Sequence, residues 1–471
     1  MPPKCSPGLT NLDLPPKDKT TMKNNLSILI VLAVVGLSAC SPNKPARDAT
    51  TGEATISDDS LMTLVEYRTF QYFWDGAEPN SGMARERFHT DGNYPDNDKH
   101  IVTSGGSGFG VMAILVGIKR GFITREQGLE RMTRIVGFLE TADRFHGAWS
   151  HWINGETGKV KPFGENDNGG DLVETAYLVQ GLLAVRQFFN EGTDEERALA
   201  NRIDTLWKEV EWDWYRNGDQ DVLYWHWSPD KGWKMNFPVE GWNECLIMYV
   251  LAASSPTHGI PAEVYHNGWA RSGAILNDST HSQYGYHLNL KHNFAQQYGG
   301  PLFWAHYSFV GLDPRNLKDR YADYWQENSN HTLINRQWCI ENPKGYKGYG
   351  ENCWGLTASY STGFYAAHRP MDEDLGVITP TAALSSFPYT PEESMKVMKH
   401  LYFELGDKVW GEYGFYDAFS EQKDWYVKWY LAIDQGPEVV MIENYRSGLL
   451  WDLFMSAPEV QSGLDKLGFT Y

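Results

Sequence analysis

Asn166-Asp167-Asn168-Gly169-Gly170-Asp171-Leu172-Val173-Glu174 sets three carboxylates within eight residues, and the chain turns apolar directly behind it, at Ala176, Leu178, Val179, Leu182, Leu183 and Val185. Acids gather where a helix begins, because the first backbone amides lack partners and the helix dipole is positive there. On local grounds Asp171 caps the helix and Glu174 returns a bond to the cap, the reciprocal arrangement of a capping box. That leaves Asp167 and the Asn/Gly cluster without a role, since a cap needs one acceptor. The fuller reading has the loop and first helical turn lining a cleft into which Asp167, Asp171 and Glu174 project. The two readings are compatible.

Outward from this stretch, helical patterns of two kinds alternate. Residues 58–74, 124–143, 193–211, 260–273, 315–338 and 391–405 are polar and amphipathic, with apolar positions three and four apart, as in Leu129, Met132, Val136 and Leu139. Between them lie shorter segments that are apolar on every side: 106–119, 171–189, 241–253, 300–311, 379–386 and 437–453. Six of each in alternation predicts an all-α fold, an (α/α)6 barrel, with apolar helices inside an outer amphipathic ring. The inner helices of such a barrel run in one direction, so their starts share a rim. Those starts bring Asp171, Glu174, Glu244 and Asp434 to one opening, with Asp167 just upstream. A dipole preference of about 0.3–1 kcal/mol explains acids at helix starts in general. Glu244 resists that explanation, because it stands between Trp242 and the run Cys245-Leu246-Ile247-Met248-Tyr249-Val250-Leu251, where a carboxylate needs a partner or a task.

Aromatic residues make up 14% of the chain, and many of its 19 tryptophans fall in loops. His151-Trp152, Tyr224-Trp225-His226-Trp227, Trp233, Trp304-Ala305-His306-Tyr307 and Trp425-Tyr426 are the main clusters. Taken singly, such clusters are core more often than binding site. Together with carboxylates on one rim they point to carbohydrate, since flat rings cover the C–H faces of sugars while polar groups read hydroxyls. The candidate sugar-binding residues are Trp242, His151, Trp152, Trp227, Trp304 and His306, joined by Glu351 and Trp354.

The N-terminus reads as an address. Met22-Lys23-Asn24-Asn25, an apolar run from Leu26 to Val35 and then Leu37-Ser38-Ala39-Cys40 give a charged, an apolar and a small-residue region in order. The run is too short to span a bilayer. Leu37-Ser38-Ala39-Cys40 resembles a bacterial lipobox, which implies that Cys40 is lipidated and the protein anchored in the cell envelope, at the outer membrane, facing periplasm or surface. Met22 reads as the start and residues 1–21 as an upstream extension. Residues 41–57 have the composition of a tether, and 58–471 form one catalytic domain.

The net charge is −19, and the first 39 residues carry four lysines against two aspartates, so the mature chain is more acidic still. Such a field argues against nucleic acid, anionic lipid or polyuronate as partner and fits a neutral ligand met by a monomer. It disfavours a polysaccharide lyase, which needs a basic cleft. A glycan-binding lipoprotein without catalysis stays open, although it has no need of carboxylates on several helix starts. Cys245, Cys339 and Cys353 are too few for a disulfide scaffold, and Cys339 with Cys353 either pair or stay free. No His/Cys/Asp spacing announces a metal site, and the acidic loop from Asp91 to Asp98 is only loosely like a calcium loop.

Several segments in order resemble the glucoamylase-like bacterial family, which includes the β-1,2-glucan-cleaving enzymes of glycoside hydrolase family 144. They are 69–75, 105–110, 168–175, 224–229, 243–245, 301–307, 352–356, 380–383 and 432–437. The resemblance runs over residues 58–455. It implies an (α/α)6 barrel and an inverting hydrolase of a neutral glucan, β-1,2-glucan or its oligosaccharides before other linkages, without metal or organic cofactor. It places Glu244 on the family's general acid and Asp167, Asp171 and Glu174 on its essential acidic trio. Asp434, in Asp434-Gln435-Gly436-Pro437, is the candidate base, and the trio is the alternative.

Overall fold

The computed structural model describes residues 56–278, 282–295 and 297–471; the lipobox with Cys40 and the tether up to residue 55 lie outside the described residues. The chain opens with α1 (Asp58–Trp74), α2 (Ser104–Lys119), α3 (Arg125–Leu139), α4 (Leu172–Phe189), α5 (Asp194–Lys208) and α6 (Leu246–Ser254). It continues with α7 (Tyr324–Glu341), α8 (Pro380–Leu384), α9 (Pro391–Lys399), α10 (Gly406–Val409), α11 (Ala432–Ser447), α12 (Leu449–Met455) and α13 (Pro458–Leu467). Helices α2, α4, α6, α8 and α11 form the inner ring of an (α/α)6 barrel, closed by two short turns at Leu302–Ala305 and Tyr307–Phe309. Among the described residues no helix is long and apolar enough to cross a membrane.

Burial follows the two sequence patterns. All nine residues of α6 are buried, as is α2 from Ser104 to Gly117, whereas α3 buries one face only, with Met132, Ile135, Val136 and Leu139 on it. The inner helices approach closely through glycine. A Cβ on Gly108 would stand 2.1 Å from the Tyr177 carbonyl oxygen, and one on Gly181 2.1 Å from that of Gly108, so α2 and α4 meet backbone to backbone.

The structure departs from the sequence expectations where Gly and Pro interrupt the pattern. The segment 300–311 follows Gly299-Gly300-Pro301 and makes two tight turns instead of an inner helix. Segment 260–273 yields a wide turn at Val264–Trp269 and a short one at Arg271–Gly273, and α13 packs behind α6 in its place. The last inner helix begins at Ala432, five residues before Pro437, and its first turn carries Asp434. Cys245, Cys339 and Cys353 are free and buried.

Short strands in the rim loops fix the upper surface. Thr103 pairs with Trp152 across an antiparallel ladder, and Asp171 pairs with His226 across another. These two pairings carry the His151 and His226 loops over the starts of α2 and α4.

Candidate active site

Asp171 caps α4, its Oδ1 accepting from the Glu174 amide at 2.9 Å. The capping box is not completed. Glu174 turns across the rim, and its Oε2 accepts from the Gly105 amide at 2.9 Å and the Thr103 hydroxyl at 3.4 Å. The second oxygen of Asp171 accepts from the Trp225 indole at 2.9 Å.

His151 sits among these acids, stacked on Phe163 with centroids 4.1 Å apart and planes 8° from parallel. Its Nδ1 is 3.3 Å from Asp171 Oδ2 and its Nε2 3.9 Å from Glu174 Oε1. Burial works against the charged ring, but Glu174, Asp171 and Asp167 outweigh it and lift His151 to about 10, so the ring is an imidazolium at neutral pH. Burial first, then the crowding of Asp171, pushes Asp167 and Glu174 above the usual carboxylate range, against the pull of His151. One cation therefore serves three carboxylates, and Asp167 and Glu174 retain protons near neutrality.

His226 is the opposite case. Its Nε2 accepts from the Gly169 amide at 3.0 Å and so carries no proton, and burial lowers the ring to about 4. The 3.4 Å approach of Asp167 Oδ1 to that nitrogen is accordingly no ion pair, and this buried oxygen meets no donor among the described residues.

Glu244 lies in the turn that leads into α6, two residues before the helix. Its carbonyl is pinned from two sides, accepting from the Tyr177 hydroxyl of α4 at 3.3 Å and the Ser308 hydroxyl at 2.5 Å. The half-buried carboxyl is raised to about 7 by burial and the nearby Glu174, against a backbone hydrogen bond that favours its charge.

Across the funnel, Asp434 in the first turn of α11 is 2% exposed and in hydrogen-bonding contact with Asp417, 3% exposed. Asp417 Oδ2 also accepts from the Tyr360 amide at 2.7 Å. Neither oxygen of Asp434 nor Oδ1 of Asp417 meets an N–H or O–H donor among the described residues. Two facing carboxylates can share only a proton, and burial with the Asp417 charge drives Asp434 far above its ordinary value.

These centres converge. Tyr307 feels the charges of Asp434, Glu174 and Glu244 together. With Phe109 and Tyr177 it forms an aromatic floor with ring centroids 5.2 to 5.7 Å apart. Sequence reasoning missed Asp417 and Tyr177. Tyr177 had a signal, standing one helical turn beyond Glu174; Asp417 had none.

The candidate sugar-binding residues divide. His151 and Trp152 stand at the trio, Trp152 edge-on to Phe163 at 4.8 Å, and half-buried Trp227 follows on the strand that pairs with Gly170 and Asp171. Trp242 and Trp354 are wholly buried, and Trp304 is 5% exposed, so these three are core and offer no face to a ligand. They sit behind the rim because the short segments that carry them are folded under it. His306 is buried too, its Nε2 2.9 Å from the Ser386 hydroxyl. Glu351 is exposed on a surface turn.

Donor atoms of His151, Asp167 and Asp171 lie within 4.8 Å of one another, so the fold builds a cation-sized cluster that the sequence spacing did not announce. The raised pKa of His151 places a proton there, where a metal ligand must have lost its own.

Comparison with known proteins finds relatives over most of the chain. The Glycoamylase (glucoamylase) family model matches residues 236–458. An exo β-1,2-glucooligosaccharide sophorohydrolase (non-reducing end) of Parabacteroides distasonis is 48% identical over 441 residues, covering 90% of this chain; the chain spans 60% of that relative's length. The structure of an endo-β-1,2-glucanase from Chitinophaga pinensis, in complex with sophorotriose and glucose, is 70% identical with a TM-score of 0.87, covering 88% of this chain and 99% of that one. An endo-β-1,2-glucanase of Talaromyces funiculosus, 11% identical over 88% of this chain and 91% of its own with a TM-score of 0.62, shares the fold. At the identity and coverage reached with the C. pinensis enzyme, this chain belongs to the glucoamylase-like family of glycoside hydrolases.

Proposed function

We propose that the protein hydrolyses β-1,2-glucan or its oligosaccharides with inversion, Glu244 acting as general acid and Asp434 as general base. The observation that carries this reading is Glu244, a half-buried carboxyl held near neutral pKa at the mouth of the funnel. Its proton passes to the glycosidic oxygen as the bond to the anomeric carbon breaks. A water attacks that carbon from the opposite face and gives its proton to the base. The three buried oxygens of Asp434 and Asp417 that lack donors suit a group that must hold such a water. The trio with His151 is suited to sugar hydroxyls, since the protons on His151, Asp167 and Glu174 let the cluster both donate and accept. Relatives of 48% and 70% identity, named an exo β-1,2-glucooligosaccharide sophorohydrolase and an endo-β-1,2-glucanase, support the linkage.

Product analysis on β-1,2-, β-1,3- and α-1,4-glucans tests this, with the first-formed anomer read by NMR. Products from the β-1,2 polymer alone, released as the α-anomer, are expected. Cleavage of another linkage only, or release of the β-anomer, would sink the reading.

We also propose that Cys40 is lipidated and anchors the enzyme in the envelope, on the strength of the Leu37-Ser38-Ala39-Cys40 pattern. Cys40→Ser is expected to leave the detergent phase for the aqueous one. A variant that still partitions with detergent would show that the lipid is elsewhere or absent.

A further inference from the structure

A cavity of about 610 Å³ opens between residues 291–295 and 297–299 on one side and the loop 369–373 on the other, with Arg271, Lys291, Phe294, Tyr298, Arg369 and Met371 in its walls. Gly241 ties it to the catalytic rim. A Cβ there would fall 3.0 Å from the Arg271 guanidinium carbon, and Gly241 stands three residues before Glu244, so their Cα atoms are at most about 11 Å apart. The cavity thus borders the segment that leads to the acid.

Two features mark it as built for a ligand. Phe294 and Met371 each expose 41% of their surface, and both are held at left-handed φ, 59° and 77°, as is Arg271 at 48°. Strain of this kind persists only where the surroundings impose it, and it gathers at ligand clamps. Both arginines of the cavity are also answered by carboxylates. Arg271 lies 3.4 Å from Glu240 and Arg369 2.7 Å from Glu373, while Arg369 donates to the Phe294 carbonyl and clasps the two walls together. Ion-paired forks beside exposed apolar side chains present hydroxyl partners and a surface for C–H faces, with little net field to draw an anion. The volume lies in the range of small-molecule sites.

We propose that this cavity is a remote glucan subsite, binding glucosyl units of the β-1,2-linked chain beyond those at the cleavage point. The inference rests on the β-1,2-glucan reading above. Its test is binding, not turnover. In the Glu244→Gln background, calorimetric titration with β-1,2-gluco-oligosaccharides of increasing length should show a step gain in affinity once the chain reaches the cavity. Adding Phe294→Ala should remove that gain, a roughly five- to tenfold loss confined to the longer ligands. Met371→Ala, on the facing wall, should do the same and keeps the test open if the first variant fails to fold. A length-dependent gain that survives both substitutions overturns the subsite while leaving the substrate reading intact. If no β-1,2-glucan of any length binds, both fall together.

Discussion

Glu174 accepts a hydrogen bond from the Gly105 amide at 2.9 Å, which ties the first turn of α4 to the first turn of α2 at the lip of the funnel. A Cβ on residue 105 would stand 2.3 Å from Glu174 Oε2 and 3.0 Å from the Tyr177 ring, so the carboxylate keeps its place only while residue 105 is glycine. Gly105→Ala is therefore expected to lower kcat/KM by roughly 10²-fold, the cost of misplacing a reacting or binding group by about 1 Å. The unfolding temperature should fall by only several degrees. Unchanged turnover would show that this contact does not set the site.

How far the site was legible depends on how local its causes are. The apolar runs of α2 and α4 betray inner helices because a helix wet on no side has no other place, and α1 was read with its observed bounds. Convergence of Glu174, Glu244 and Asp434 follows from parallel inner helices, which a one-dimensional pattern can express. The partner of Glu174 was not legible, since the Gly105 amide is 69 residues away and outcompetes the cap. Likewise Asp417 meets Asp434 only through loop packing. Trp242 and Trp354 look like loop aromatics in sequence, and only the third dimension puts them under the rim.

His151, Asp167 and Asp171 have the donor types of a metal site, so removal of metal is a direct test of what holds the cluster together. An imidazolium with pKa about 10 presents protons to its carboxylates, and a divalent ion would have to displace them. Dialysis against a chelator is expected to leave turnover unchanged. A loss restored by calcium or zinc would put an ion among these three side chains.

Asp417 raises the pKa of Asp434 both by its charge and by their shared hydrogen bond. Asp417→Asn removes the charge and should let Asp434 ionise at lower pH, so the acidic limb of the pH–rate profile moves to lower pH. Turnover should drop about tenfold, because the amide holds the base less well. Asp434→Asn removes the base itself and should cost roughly 10²–10⁴-fold. If Asp417→Asn leaves the acidic limb where it was, the base lies elsewhere, and the trio is the first place to look.

Glu244 is the sharpest test of the mechanism. A general acid must carry its proton when substrate binds, and a carboxyl raised to about 7 does so over the acidic and near-neutral range and loses it as pH rises through that value. Its activity therefore falls on the alkaline side. Glu244→Gln keeps the size and hydrogen-bonding capacity of the side chain and deletes the transferable proton, while the backbone stays pinned by Tyr177 and Ser308. Turnover should fall roughly 10²–10⁴-fold with oligosaccharide affinity kept, and the alkaline limb near pH 7 should vanish from the residual activity. Substrates with a good leaving group, which need less protonation, should lose less. A Glu244→Gln enzyme with near-normal turnover and an unaltered alkaline limb would remove Glu244 from the acid role and pass it to Glu174, the neighbouring carboxyl that burial also keeps protonated.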